Sequence, residues 1–418
     1  MGPFFQLSFA LAKARVKVSF IQTPNNIKRL PKIPSNLATL INLVELPLPA
    51  LDKDVLPDGA EASVDIPFEK YQYLKTAYDM RKEIFKKFVA DQSPDWIFVD
   101  VIPYWAAEVA LEFQVPLFLM SAPEWVTFPS TVAFKKHEAV VSFSAIYGAN
   151  GTEKDAYRIS KALHSCQAVA VRSCNELEGD YLSSLEKMLG KKVIPVGLLP
   201  PEKPRGRRDI TDEKWVKIFE LVDQQKPKSV VFVGFGSECK LSRDQTYELA
   251  YEIELSQVQF SWALRKPLGL KMISTLPPGF AQRTQGRGLV TTGWAPQMEI
   301  LGHSSTGGTL FQCGWNSVVE TLQFGHTLVA LPFVFDQALN ARLLVEKGLA
   351  VEIDRAEDGS CDKNDIAECL RLAMVSEERE GLRARARAAA KVLGDQEKYI
   401  AHFVEYVENG VANNAIHG

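Results

Sequence analysis

Residues 308–320 read Gly-Thr-Leu-Phe-Gln-Cys-Gly-Trp-Asn-Ser-Val-Val-Glu, in which an apolar strand runs directly into the start of a helix. The strand lacks the strict alternation of a half-exposed strand, which is typical of a parallel sheet covered on both faces. Similar runs rich in Val, Ile and Phe, separated by stretches of helical periodicity, recur at 16–22, 96–101, 115–121, 168–172, 193–196, 229–234, 259–264, 288–293, 327–332 and 349–353. This pattern predicts an α/β fold made of two Rossmann-like, doubly wound domains.

A stretch rich in proline, glycine and charge separates the two halves of the chain. Residues 197–208 read Gly-Leu-Leu-Pro-Pro-Glu-Lys-Pro-Arg-Gly-Arg-Arg, which cannot continue a helix or a central strand. The predicted organisation is an N-terminal domain, an interdomain linker, a C-terminal domain, and a C-terminal helix with a tail, over residues 1–196, 197–212, 213–395 and 396–418. Ligands of open α/β sheets bind beyond the carboxyl ends of the strands, so two such domains facing each other would enclose a central cleft.

The composition argues against several classes of protein. The formal net charge of the 418 residues is -3, whereas proteins that bind nucleic acid usually carry a strongly basic face. Six scattered cysteines without a CxxC pair predict reduced thiols rather than disulfides or a metal site. The sequence contains no apolar run of about 18 residues, the length that a membrane span needs. We therefore expect a cytoplasmic monomer with small-molecule partners, without nucleic acid, a membrane span or a bound metal.

The glycine-rich segment 232–238 follows one of the strongest predicted strands. Gly234 and Gly236 let backbone N–H groups approach a phosphate, and a helix N-terminus favours negative charge. An alternative is a tight turn before a helix that begins with a Ser242–Gln245 capping box. A dinucleotide fingerprint would need a third glycine where Cys239 stands, which disfavours a nicotinamide-dependent oxidoreductase.

Three further segments at strand ends carry groups that suit a nucleotide sugar. The free N–H groups of the helix start at 314–317 could bind a diphosphate, and Glu320 could accept from two ribose hydroxyls; the alternative is a Ser317–Glu320 capping box. Trp294 can stack on a base and Gln297 can pair with a uracil edge, although a Trp packed at a domain edge is the simpler alternative. Asp336 and Gln337 suit sugar hydroxyls, with a helix cap as the alternative.

Taken together, residues 294–337 resemble the signature box of plant family 1 UDP-dependent glycosyltransferases, the enzymes of secondary metabolism. The elements occur in the family's order: Trp294-Ala-Pro-Gln297, His303, Cys313-Gly-Trp-Asn-Ser317, Glu320, Pro332 and Asp336-Gln337. The resemblance extends through nearly the whole chain. Residues 123–129 and 172–178 resemble the branch that adds a sugar to an existing glycoside, which implies flavonoid or terpenoid glycosides as acceptors.

The resemblance implies a GT-B fold and transfer of a sugar with inversion, without a metal or a cofactor, UDP-sugar being a co-substrate. Glucose is the expected sugar, with rhamnose as an alternative. Trp294 would stack on uracil with Gln297 beside it, and Glu320 would hold the ribose. The diphosphate would be bound by Ser237, Asn316 and Ser317. The sugar would be contacted by Trp315, Asp336 and Gln337. The implied UDP-sugar site is completed by Ala295, Gln312 and Gly314.

Catalysis in this family uses a histidine of the N-terminal domain as the base and an aspartate that orients it. Asp100, which ends the predicted strand 96–101, matches the aspartate; a helix cap is the alternative. The first histidine of this sequence is His137, in a polar stretch more simply interpreted as surface. Residues 3–12 resemble the segment that follows the catalytic histidine, so the sequence begins inside that loop. The expectation is therefore a missing first strand, a gap or exposed edge in the N-terminal sheet, and impaired transfer.

One other feature bears on this interpretation. Gln312 stands where the family usually has a histidine before Cys-Gly-Trp; glutamine can donate a hydrogen bond to a phosphate but carries no charge. The alternative functions are a non-catalytic UDP-sugar-binding protein and an incomplete gene product.

Overall fold

The computed structural model describes residues 2–417 apart from 50, 53, 68–69, 101–102, 104, 114–116, 121–127, 129, 136, 140–154, 205–209, 211, 237–238, 240, 266–275, 357–359, 362–363, 378–379 and 394–395. Contacts between residues divide the chain into two compact units. Residues 1–129, 143–199 and 395–418 form the N-terminal unit, and residues 130–142 and 200–394 form the C-terminal unit. These units differ from the predicted ranges in where they place residues 130–142, 197–199 and 395–418, and the predicted domains and linker stay predictions.

The described residues form twelve strands. They are β1 (Val18–Gln22), β2 (Ile41–Glu45), β3 (Ile97–Val99), β4 (Leu117–Met120), β5 (Ala168–Val171), β6 (Lys192–Pro195), β7 (Val230–Gly234), β8 (Gln259–Leu264), β9 (Gly288–Thr292), β10 (Thr306–Phe311), β11 (Thr327–Ala330) and β12 (Ala350–Glu352). Each predicted apolar run overlaps one of them. One strand, β2, was not predicted from the sequence. Only Ile41 of its five residues is buried, so it contains no continuous apolar run.

The described residues also form sixteen helices, and these connect and cover the strands. They are α1 (Gly2–Lys13), α2 (Pro24–Lys28), α3 (Tyr71–Asp79), α4 (Lys82–Gln92), α5 (Trp105–Glu112), α6 (Asp155–Ser165), α7 (Asn175–Leu189), α8 (Glu213–Asp223), α9 (Arg243–Ser256), α10 (Phe280–Arg283), α11 (Gln297–Leu301), α12 (Trp315–Leu322), α13 (Gln337–Glu346), α14 (Asp365–Met374), α15 (Glu380–Val392) and α16 (Glu397–His417). A 3₁₀ turn spans Ser63–Asp65.

The C-terminal unit contains a six-stranded parallel sheet in the order β12-β11-β10-β7-β8-β9. All six residues of β10 are buried, as are the first four of β7. Burial of this kind explains the continuous apolar runs, because both faces of the sheet are covered by helices. β7 and β10 lie side by side at the centre, so the loops that follow them are neighbours at the carboxyl edge.

The strands described in the N-terminal unit form two separate parallel sheets. β1 pairs with β2, and the other four strands pair in the order β3-β4-β5-β6. Both sheets contribute residues to the same hydrophobic clusters. Val18 of β1 and Phe98 of β3 belong to one cluster, and Ile21 of β1 and Ile97 of β3 belong to another. The expected gap or exposed edge in the N-terminal sheet and the missing first strand stay predictions.

Two segments pack on a unit that is remote in sequence. α16 returns to the N-terminal unit, where Trp96 donates its indole N–H to the carbonyl of Val407 at 3.1 Å. Residues 130–142 pack on α13 of the C-terminal unit, where Arg342 binds both carboxylate oxygens of Glu138 at 2.7 and 2.8 Å. Neither attachment follows from local sequence, because both depend on contacts across long sequence separations.

Candidate functional site

The candidate residues of the C-terminal unit lie where its parallel strands end. Gly236 follows β7, Trp294 follows β9, Gln312 follows β10 and Asp336 follows β11. Since all six strands are parallel, these positions share the carboxyl edge of one sheet, where open α/β proteins bind their ligands. Ser237, a predicted diphosphate contact, and residues 123–127 of the predicted acceptor branch lie outside the described residues.

Gln312 fills the space between the loops that follow β7 and β10. Its side chain is 6% exposed. A Cβ atom placed on Gly236 would lie 2.2 Å from Gln312 Nε2, and one on Gly314 would lie 3.5 Å from it. Gln312 Oε1 is buried and has no hydrogen-bond partner among the described residues. Glycine at position 236 is therefore what allows the buried amide to reach this point.

The helix start after β10 differs from the capping box that the sequence also allowed. α12 begins at Trp315, with Gly314 in an extended conformation as its N-cap. Gly314 offers no side chain to cap the helix, and the positive end of the dipole of α12 lies directly after the strand. The Ser317–Glu320 capping box is wrong, because Ser317 lies inside the first turn. By contrast, the alternative box on α9 is present, since Ser242 Oγ accepts from the N–H of Gln245 at 3.2 Å.

Glu320 and Gln297 meet between α11 and α12. Gln297 Nε2 donates to Glu320 Oε2 at 2.5 Å, which fixes the carboxylate at one side of the helix start. Trp294 precedes this pair and is 84% exposed, so the alternative of a half-buried Trp at a domain edge is wrong. An aromatic side chain this exposed has a free face for stacking. Ala295 is half-buried and packs against the cluster beneath the loop.

The residues after β11 are held by hydrogen bonds to neighbouring loops. Gln337 is buried, and its Oε1 accepts from the N–H groups of Phe333 and Val334 at 3.0 and 3.1 Å. Asp336 is exposed; it occupies the N-cap position of α13 without a side-chain cap, and its carboxylate accepts from Asn340 at 2.9 Å. The helix-cap alternative therefore accounts for the position of Asp336 but not for its side chain.

Asn340 is a residue whose role sequence reasoning missed. Besides Asp336, it donates to the carbonyl of Cys313 at 3.1 Å, which ties α13 to the loop after β10. Cys313 has φ 67°, an uncommon value for a residue other than glycine. Its thiol is fully buried, which raises its pKa well above the ordinary value. Asn340 thus holds a strained turn in front of α12, and no local motif indicates this contact.

The remaining predicted residues lie at three different places in the structure. Trp315, Asn316 and Ser317 lie in the first turn of α12. His303 binds Asp223 at 2.9 Å and Ser305 at 2.6 Å, contacts that brace the turn before β10. Asp100 follows β3 in the N-terminal unit and is exposed.

His137 does not lie on an exposed surface as expected. It is half-buried in residues 130–142, which pack with the C-terminal unit. Its neighbour Glu138 is held by Arg342, so the polar stretch around His137 makes specific contacts instead of facing solvent alone.

Among the described residues, no cluster of three or more His, Cys, Asp or Glu side chains is placed to hold a metal ion. No helix in the described part of the chain has the length and apolarity that crossing a membrane requires.

Comparison with known proteins identifies relatives along the whole chain. The family described as UDP-glucoronosyl and UDP-glucosyl transferase matches residues 211–377. Soyasaponin III rhamnosyltransferase of Glycine max is 37% identical over 442 residues, covering 97% of this chain and 92% of that protein. UDP-glycosyltransferase 91D1 of Stevia rebaudiana is 38% identical over 452 residues, covering 99% and 91%.

Solved structures agree with these relatives. UGT73P12 of Glycyrrhiza uralensis, complexed with glycyrrhetinic acid 3-O-monoglucuronide, has a TM-score of 0.78 at 19% identity, covering 99% of this chain and 94% of its own. Arabidopsis thaliana UGT89C1, complexed with UDP-L-rhamnose, has a TM-score of 0.76 at 25% identity, covering 97% and 96%. These likenesses define the GT-B fold of a UDP-sugar-dependent glycosyltransferase.

The chain belongs to the plant UDP-glycosyltransferase family, whose members act in secondary metabolism.

Proposed function

We propose that the chain transfers a sugar from a UDP-sugar, held by the C-terminal unit, to a hydroxyl of a flavonoid or terpenoid glycoside. The observation that carries this proposal is the position of the Gln312 amide, which lies between Gly236 and Gly314 in front of α12. A diphosphate in that place would meet the N-terminal end of α12, whose dipole favours negative charge, and a buried neutral donor. The hydroxyls of Ser237 and Ser317 and the amide of Asn316 complete the proposed diphosphate contacts.

The nucleoside is assigned to the adjacent loop. Trp294 offers a stacking face for uracil because 84% of its surface is exposed in the absence of a ligand. Glu320, whose carboxylate accepts from Gln297, would accept from the ribose hydroxyls. Gln297 and the backbone of Ala295 would border the base. Together these groups recognise the features that distinguish a uridine diphosphate from a simple phosphate.

The sugar is assigned to Trp315, Asp336 and Gln337. Exposure of the Asp336 carboxylate and its hydrogen bond from Asn340 suit an acceptor of sugar hydroxyls. Glucose is the sugar we propose, on the basis of the glutamine that ends the signature. Rhamnose is the alternative, supported by a relative described as a rhamnosyltransferase and by the structure of UGT89C1 with UDP-L-rhamnose.

The chemistry we propose is a direct displacement that inverts the anomeric carbon and needs no metal or cofactor. The acceptor hydroxyl attacks that carbon, UDP leaves, and the hydroxyl proton passes to a base. Asp100 is the proposed orienting residue on the acceptor side. General-base catalysis is worth about 10²–10⁴ in rate, so a site that lacks its base would turn over slowly. Binding of UDP-sugar without transfer is the second candidate function.

The expected setting is a monomer in the cytoplasm. All six cysteines are free thiols, four of them buried, as expected in a reducing compartment.

Mass spectrometry of reaction products tests the proposal. The chain would be incubated with UDP-glucose or UDP-rhamnose and a panel of flavonoid and terpenoid glycosides, beside an active relative as positive control. A product heavier by one hexose or one deoxyhexose identifies both the activity and the sugar. Absence of product with micromolar UDP binding, measured by calorimetry, favours the second candidate. Absence of both product and UDP binding would refute the donor site.

Trp294→Ala serves as the matched variant for both measurements. Since the side chain is exposed, its removal should leave the fold intact and act only on the nucleotide. Any product that is formed equally by wild type and Trp294→Ala would not come from the proposed site.

A further inference from the structure

Arg81 carries a buried positive charge for which the described residues supply no anionic partner. It joins α3 to α4 and is 6% exposed. Its Nε has no hydrogen-bond partner among the described residues, and no carboxylate of that part of the chain forms an ion pair with it. Its one aromatic contact is with Tyr78, whose ring centre lies 5.0 Å from the guanidinium carbon. Stacking of this kind offsets only part of the cost of burying a charge.

The other buried arginines of the N-terminal unit show how this fold normally satisfies a guanidinium. Arg158 is 3% exposed and binds both carboxylate oxygens of Asp79, at 2.8 and 2.5 Å. Arg172 is 9% exposed and donates to the carbonyls of Leu198 and Leu199 at 2.6 and 3.2 Å. An uncompensated buried charge costs several kcal/mol on the order of magnitude known for such groups. Arg81 therefore favours a partner other than the residues that the structure describes.

The acidic groups nearest to Arg81 are already engaged. Asp79 is used by Arg158, as described above. Glu61 accepts two backbone N–H groups at the start of α2 through Oε2, at 2.6 and 3.3 Å. Burial lowers the pKa of Arg81, while Tyr78 and Glu61 act in the opposite direction. The guanidinium stays charged, since arginine does not lose its proton in proteins at neutral pH.

The position of Arg81 is at the carboxyl end of the strands of this unit. Tyr78, which lies beneath the guanidinium, donates to the side chain of Gln22, the last residue of β1, at 3.2 Å. Asp79 accepts from the indole N–H of Trp105 at 3.2 Å, and Trp105 begins the helix that follows β3. Ligands of open α/β sheets bind at this end. Asp100, the proposed orienting residue, also follows β3 there.

We propose that Arg81 binds a carboxylate of the acceptor, so that the preferred acceptor is an acidic glycoside such as a glucuronide. This inference rests on the proposed transferase function and specifies the substrate class of its acceptor side. The planar fork of a guanidinium matches a carboxylate with two parallel hydrogen bonds. A singly charged group also neutralises the single charge of Arg81, whereas a dianionic phosphate would face repulsion from Glu61.

Calorimetric titration with matched acceptors tests the proposal. The probes are quercetin 3-O-glucuronide, its methyl ester and quercetin 3-O-glucoside, each added to the full chain. Wild type should bind the free acid at least about tenfold more tightly than either neutral probe, the effect of one charge-assisted pair. Equal affinities of acid and ester, or no binding of the acid at millimolar concentration, would overturn the proposal.

Variants locate the effect. Arg81→Met should abolish the preference for the acid while leaving the affinity for the glucoside unchanged. Lys87→Met, which removes an exposed charge from the same helix α4, should keep the preference. Arg81→Met should not lower the midpoint of thermal unfolding, because the substitution removes an unpaired buried charge. If Arg81→Met does not fold, Arg81→Lys takes its place. This variant keeps the charge but lacks the planar fork, so it should weaken the preference for the acid. A preference that persists in Arg81→Met refutes the assignment.

Calorimetry with UDP on the same preparations separates this proposal from the donor site. UDP that binds without any preference among the acceptors refutes the role of Arg81 alone. Acceptor preference without UDP binding refutes the donor assignment alone.

Discussion

We expect Gly236→Ala to weaken UDP binding by displacing the side chain of Gln312. The added methyl group would lie 2.2 Å from Gln312 Nε2, whereas nonbonded atoms prefer about 3.5 Å, so the amide has to retreat by roughly 1 Å. Gly236 is not among the residues with positive φ, so alanine suits its backbone. A hydrogen bond to a charged group contributes about 1.5–3 kcal/mol, which corresponds to an affinity loss of about 10- to 150-fold.

A double-mutant cycle measured by calorimetry with UDP isolates this effect. Gln312→Ala should weaken binding about as much as Gly236→Ala, since both remove the same donor. The variant with both substitutions should be no weaker than either single variant, because the methyl group then meets an empty space. Thermal unfolding of all four proteins is the control, since Gln312 is buried and its truncation leaves a small cavity.

Additive losses in the double variant would refute this reasoning. They would mean that the methyl group strikes the nucleotide directly and that Gln312 acts independently of Gly236. Wild-type affinity in Gln312→Ala would refute the assignment of the amide to the diphosphate altogether.

Three further predictions concern the nucleoside site and stability. Trp294→Ala should cost about 1–3 kcal/mol of UDP affinity, the range for stacking of a base on an aromatic ring, without shifting thermal unfolding, because the side chain is exposed; unchanged affinity would contradict it. Glu320→Ala should abolish the preference for UDP over 2′-deoxy-UDP in calorimetry, whereas a retained preference would assign the ribose to another group. Burial, together with nearby Lys228, lowers the pKa of His326 to about 3. Because this folded-state pKa lies below the unfolded value of about 6.5, the neutral ring stabilises the protein fully above pH 6.5, and that contribution is lost on acidification by up to about 1.4 kcal/mol per pH unit. The free energy of unfolding, measured with urea, should therefore fall less steeply from pH 7 to pH 4 for His326→Gln than for wild type. Identical pH profiles would show that His326 does not cause the loss of stability.

The strands of the C-terminal unit were predictable because a strand buried on both faces leaves a continuous apolar run. β10 and β7 are buried along nearly their whole length, and both were predicted. β2 was missed for the opposite reason, since Asn42 and Glu45 are exposed in a two-stranded sheet. Pairing between strands is also a long-range property, so the division of the N-terminal strands into two sheets does not follow from local sequence.

Residue identity at strand ends predicted where the candidate site lies but not how its parts contact one another. The approach of Gln312 to Gly236 joins residues far apart in sequence, as does the hydrogen bond between Gln297 and Glu320. Arg81 carries no sequence signal, because an arginine between two polar helices is ordinarily exposed. Its burial appears only once the chain is folded, and the absence of a local partner becomes visible only then.

The return of α16 to the N-terminal unit has a consequence for recombining this chain with its relatives. The polypeptide passes between the two units four times, at residues 129–130, 142–143, 199–200 and 394–395. A hybrid gene with one junction near residue 200 would therefore take α16 from the wrong parent. Contacts such as that between Phe98 and Phe403, with ring centres 5.7 Å apart, would then join residues that did not evolve together. Exchange of residues 200–394 as a cassette, with 395–418 kept from the parent of the N-terminal half, preserves the native partners of α16.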